Sequence, residues 1–248
     1  MDEMNPLERP AGITPPVRQP GLVRCLYREE WAAWRRDYRK YFKHAARALG
    51  LGFVAGYVFF SLWPAQEKKA LDLVIESLKD ISLQAPPLAL ALTLFYHNAR
   101  ASVVAVAAGV VPFAFLPIFD PIINGGVLGL LVSISKHQHL PVLRLVLTQI
   151  LPHGIFELTA VLYATSVGLY LSAAMGRKAR TAWLKKRART DAASSTPPSN
   201  FLETSPERTA AALSESPARN VVRSFVLVVL PLLLIAAFIE SFITPHLG

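Results

Sequence analysis

LPHGIFELTAVLYATSVGLYLSAAM (Leu151–Met175) is the stretch that decides the fold. From Ile155 to Met175 it carries a single charge, Glu157, and about 20 apolar residues are enough to cross a bilayer as a helix. His153 stands four residues before Glu157, slightly more than one helical turn, so the two side chains share a face. A carboxylate at the centre of a membrane helix costs about 2.5–3.5 kcal/mol on insertion scales, and less near its end. Partners inside the protein are therefore expected, and the chain reads as a membrane protein with polar groups held between helices.

Composition agrees. A mean hydropathy of +0.36 with 52% hydrophobic residues is too apolar for an ordinary soluble domain. The net charge of +9 does not point to nucleic acid, because the basic residues cluster at membrane borders, where anionic lipid is the simpler partner. No cleavable signal peptide is expected, since the first 47 residues are polar and basic. A single cysteine, Cys25, excludes an internal disulfide and a multi-cysteine metal site.

Outward from the opening stretch the chain divides as follows. Residues 1–20 are proline-rich and expected to be unfolded. Over 21–44, Trp31, Trp34, Tyr38 and Phe42 fall at helical spacing among Arg35, Arg36, Arg39, Lys40 and Lys43, which predicts an amphipathic helix in the membrane interface with its basic side toward lipid headgroups. A transmembrane core is expected over 45–175. Its first span runs from Ala45 to Trp63. An outer amphipathic helix follows at 66–83, too polar to cross. Leu88–Tyr96 reads as an interfacial or re-entrant piece and Ala101–Phe119 as the second span, stopped by Asp120-Pro121. Ile122–Ile134 gives a third, and Leu140–Leu151 a partial entry helix broken at Pro152 before the fourth. Residues 176–220 form a basic loop and then, from Asp191, a Ser/Thr/Pro/Ala-rich linker expected to be disordered. The last span occupies 221–248, with Val221–Ile243 as its apolar core. The fold class is thus all-α, a polytopic transmembrane bundle of about five spans.

The Lys/Arg distribution orients it. Ten lie up to Arg47 and nine within 176–220, against three within 64–87 and one within 135–141. By the positive-inside rule the N-terminus is cytoplasmic and the C-terminus outside. Small residues also recur every fourth position: Ala48, Gly52 and Gly56; Ala101, Ala105 and Gly109; Gly125, Gly129 and Ser133; Ala160, Ala164 and Gly168. Such stripes let helix backbones approach closely in lipid, within one chain or across a dimer.

Three short motifs recur in order: FYHNAR (Phe95–Arg100), NGGVLG (Asn124–Gly129) and LPHGIFEL (Leu151–Leu158). Together they resemble the stage II sporulation protein M family of bacterial membrane proteins over about residues 88–175. The matching positions are Asn98, Asn124, Gly125, Pro152, His153, Gly154 and Glu157. The resemblance implies a subunit working with partner membrane proteins in envelope remodelling, as the family's namesake does with two partners in engulfment.

From the residues themselves, Asn98, Asn124, His153 and Glu157 are expected to converge as an intramembrane polar core, with Gly125, Gly129, Pro152 and Gly154 shaping turns and packing. The preferred reading is a non-enzymatic scaffold or complex subunit, with other membrane proteins or a second copy as partners. A permease-like subunit with a polar path is the alternative, and an intramembrane metal-dependent hydrolase the third. No metal site is predicted: His153 and Glu157 offer two ligands on one face and His97 a third, but the pair of histidines flanking a glutamate that zincin catalysis needs is missing. His137 and His139 are expected to be solvated, Glu240 to reach the interface and Arg223 to snorkel. No phosphate loop or dinucleotide fingerprint appears, so no cofactor is expected and energy coupling would need a separate ATPase.

Overall fold

The structure, a computed structural model, describes residues 21–77, 85–194 and 217–247. Every regular element among them is helical. Five helices are long and apolar enough to cross a membrane, so the chain is an all-α multi-pass bundle. We number the helices α1 (Leu22–Leu62), α2 (Ala65–Ser77), α3 (Pro87–Ala108), α4 (Phe119–His137), α5 (Leu151–Ser194) and α6 (Ala218–His246).

Several boundaries differ from the sequence reading, each for a physical reason. The interfacial helix and first span are one 41-residue helix, α1. At 1.5 Å per residue it is about 60 Å long, twice the hydrocarbon core. No glycine or proline interrupts it before Gly50. Its one π turn, at Trp34–Tyr38, falls within the expected interfacial segment, and regular helix runs from Arg39 through the expected boundary at 44/45. The piece at Leu88–Tyr96 and the head of the second span likewise merge into α3, which ends at Gly109. The polar residues of FYHNAR do not stop it because peptide groups are satisfied inside the helix and Asn98 faces Glu157 across the bundle. Asp120-Pro121 is not a stop but the first turn of α4, where a proline forfeits no helical hydrogen bond.

Pro152 does not break α5. Val142–Leu145 and a π turn at Val146–Ile150 lead straight into it. A proline leaves the carbonyl four residues back without its donor, here that of Thr148, inside the π turn. The same device recurs in α6: a π turn at Phe225–Val229 precedes Pro231, and the carbonyl of Leu227 accepts from the Tyr27 hydroxyl at 3.5 Å. Beyond Met175, α5 continues as helix through RKARTAWLKKRART (Arg177–Thr190) to Ser194 instead of opening into a loop. Residues 217–220, read as linker, begin the last helix. The expected unfolded start (1–20), the end of the outer helix (78–84) and the body of the linker (195–216) lie outside the described residues.

The small-residue stripes meet in pairs. A Cβ on Gly52, Gly56, Gly125 or Gly129 would collide with the backbone of the facing helix, so α1 and α4 touch main chain to main chain. On the other side of the bundle Gly109 abuts Gly168. Ala160, Ala164 and Val167 of α5 bury against Val106 of α3 and Val229 and Leu233 of α6. These contacts hold α3, α5 and α6 side by side and bring their polar groups together.

Candidate functional site

Two polar centres lie between the helices. The first contains the opening motif. His153 and Glu157 sit one turn apart on α5, and Glu240 of α6 joins them: one ligand-capable atom from each lies within 4.8 Å of the other two. Asn98 of α3 and Asp120 of α4 face the Glu157 carboxylate. All three clustered residues are half-buried. The Nδ1 of His153 is buried and makes no hydrogen bond among the described residues. Two helices, α5 and α6, thus supply two carboxylates and one imidazole, and α3 and α4 face them with Asn98 and Asp120.

Of the expected polar core, the structure therefore joins Asn98, His153 and Glu157, while Asn124 stands apart. Its amide donates to the Asp120 carbonyl at 3.0 Å and to Asp120 Oδ1 at 3.3 Å, on its own helix. Glu240, expected to reach the interface, turns inward instead because α6 packs against α5 and α3. An ionisable residue within a span was the signal for it. His97 does not join the cluster. It lines a surface cavity of about 430 Å³ with Arg100 and Asp120.

The second centre went unread in the sequence. Glu30 of α1 is buried, its side chain 4% exposed. Its Oε1 accepts from the Tyr163 hydroxyl and from Ser224 Oγ, the latter at 2.6 Å. Its Oε2 accepts from Arg223 Nε at 3.0 Å, and Arg223 Nη1 reaches Glu29 at 2.9 Å. Arg223 does not snorkel: its side chain is 7% exposed. An aromatic wall closes the centre, with Trp34 stacked on Tyr163 at 5.3 Å and Tyr38 edge-on to Tyr163 and Tyr170. One sequence signal existed, because Glu30 lies four residues before Trp34 on the aromatic stripe rather than on the basic side.

The remaining expected residues spread over the surface and turns. Trp31, Arg35, Arg36 and Arg39 are exposed, while Trp34 is half-buried. A Cβ on Gly154 would meet only Ile150 at 3.6 Å, so that glycine is not demanded by space. His137 is not merely solvated: its Nδ1 lies 2.9 Å from Glu67 of α2, which also accepts from Ser133 at 2.7 Å. His139 is exposed.

Residues 45–245, most of the 248-residue chain, match the family described as Stage II sporulation protein M. Comparison with curated proteins and with solved structures finds no match.

Proposed function

The chain belongs to the stage II sporulation protein M family, and from that premise we propose that it serves as a non-enzymatic membrane subunit of an envelope complex. The observation that carries this reading is the Glu30 centre, where a buried carboxylate, an arginine, a serine and a tyrosine satisfy one another across α1, α5 and α6. Paired polar groups between membrane helices fix register and shape. Family membership favours a bacterial inner membrane, and the Lys/Arg bias a cytoplasmic N-terminus and an outer C-terminus. In that orientation the exposed basic faces of α1 and of the α5 extension meet the anionic leaflet. Partners would be other membrane proteins or a second copy.

A permease-like role is the second reading, favoured by the half-buried His153, Glu157 and Glu240, since intramembrane ionisable residues commonly mark ion and proton routes. A separate ATPase would then supply energy. Affinity purification at native expression level, in mild detergent, with stoichiometric mass spectrometry separates the two. A near-stoichiometric envelope protein is expected. A cytoplasmic ATPase in that position would shift the assignment to transport, and recovery of the chain alone would overturn a stable complex. Flux divides the readings further: a scaffold carries none, whereas a transporter carries flux and loses it in Glu157→Gln.

A further inference from the structure

The charge around Glu157 does not balance. The groups facing it are His153 on its own helix, Asn98 on α3, Asp120 on α4 and Glu240 on α6. No lysine or arginine lies within salt-bridge distance of Glu157 or Glu240 among the described residues. Two carboxylates in one half-buried site cannot both stay ionised without a cation between them. Beside them, the buried Nδ1 of His153 has no hydrogen-bond partner, although nearly all buried polar atoms find one.

We propose that His153, Glu157 and Glu240 bind a divalent transition-metal cation, with zinc the best fit to the donor set. A neutral imidazole and two carboxylates around a doubly charged ion make an electrically neutral site, the form a bilayer tolerates. Imidazole favours zinc over magnesium or calcium, and the absence of a thiolate from the set disfavours copper(I). Zinc takes imidazole nitrogen at about 2.0–2.1 Å and carboxylate oxygen at about 2.0–2.2 Å. Neighbouring ligands of a tetrahedral shell then lie about 3.4 Å apart, and rotation of the flexible Glu157 and Glu240 side chains closes the present 4.8 Å spread. Asn98 faces the Glu157 carboxylate from α3, the position from which groups behind metal ligands orient them. With three protein ligands, the fourth position is left for water or a partner's side chain. Bound in this way, the ion clips the last helix to α5 and, through Asn98, to α3. The inference stands whether the chain is a scaffold or a permease.

The test uses the full-length protein in nanodiscs, stripped with a chelator, dialysed and titrated with Zn²⁺ alone. One ion per chain is expected. X-ray absorption of the loaded wild-type protein should show a nitrogen/oxygen shell with an imidazole signature and no sulfur. His153→Ala and Glu240→Gln should each weaken binding by more than the about 10–100-fold expected of Asn98→Ala. His97→Ala and His137→Ala should leave it unchanged. Binding of fewer than about 0.1 ions per chain by the wild type would overturn the proposal and assign the carboxylates to a shared proton. Equal binding by the wild type and Glu240→Gln, or a shell without imidazole, would overturn it as well. Because stoichiometry and shell are read on the wild type, the result does not depend on any variant folding.

Discussion

The two polar centres use the same chemical vocabulary and reach opposite balances. Around Glu30, one buried carboxylate meets an arginine, a serine hydroxyl and a tyrosine hydroxyl, and a second carboxylate, Glu29, takes the arginine's remaining reach. Around Glu157, two carboxylates meet one imidazole and one amide. In the first, closed centre the buried carboxylate has a cation beside it and the excess charge, on Glu29, is 44% exposed; in the second, open centre no cation faces the carboxylates among the described residues. A membrane bundle needs the first kind to fix the positions of its helices. The second kind has no such use unless something arrives to balance it.

The largest effect is expected from breaking the closed centre. Arg223→Ala leaves Glu30 buried opposite no cation, and removing one partner of a buried pair costs about 3–5 kcal/mol. Thermal unfolding in detergent, followed by size exclusion, should show a sharply lower midpoint. Adding Glu30→Gln removes the stranded charge and should recover more than half of the loss. If Arg223→Ala unfolds with the wild type, the centre does not staple α1 to α6.

Tyr163→Phe is gentler, because it deletes one donor and keeps the ring stacked on Trp34. A hydrogen bond to a charged group contributes about 1.5–3 kcal/mol, so the same unfolding assay should show an intermediate drop. Glu30 retains Arg223 and Ser224, and a loss as large as that of Arg223→Ala would mean that the hydroxyl, not the guanidinium, carries the centre.

The open centre should respond with the other sign. In chelator-treated protein near neutral pH one of the two facing carboxyls must take up a proton, and Glu240→Gln removes that requirement, so stability is expected to rise by about 1 kcal/mol, the equivalent of roughly one pKa unit. A stability loss in chelator would show that Glu240 is held by a favourable bond and that the contrast between the centres is false.

That contrast was half legible from the residues. His153 and Glu157 announce themselves because they stand one turn apart at the edge of an otherwise apolar span, and Asn98 because it interrupts another. The glycine and alanine stripes were legible for the same reason: a period of four is a local property of the chain. Glu30 and Arg223 were not, since 193 positions separate them and each alone looks like an interfacial charge. Glu240 was discounted on its nearness to a helix end, and only the packing of α6 turns it inward. The proline positions misled at one point and not the other. Pro231 lies inside the apolar run Val221–Ile243, which the sequence reads as one span, but Pro152 reads as a break because nothing local shows that a π turn stands before it to absorb the missing donor.

The two prolines also supply the smallest expected effect. The carbonyl of Leu227, freed by Pro231, takes its bond from Tyr27 of α1, beside the closed centre. At 3.5 Å this contact is beyond the 2.5–3.0 Å of a good hydroxyl bond, and Tyr27 is 49% exposed. Tyr27→Phe should therefore cost no more than about 0.5 kcal/mol, below the usual about 0.5–1.5 kcal/mol of a well-formed bond. Pro231→Ala restores an amide donor to the Leu227 carbonyl, so in that background Tyr27→Phe should become silent, and a double-mutant cycle on unfolding midpoints reads the difference. A cost above about 1 kcal/mol that persists in the Pro231→Ala background would mean that Tyr27 acts through the Glu30 centre, which would then extend along α1 beyond the residues that touch its carboxylate.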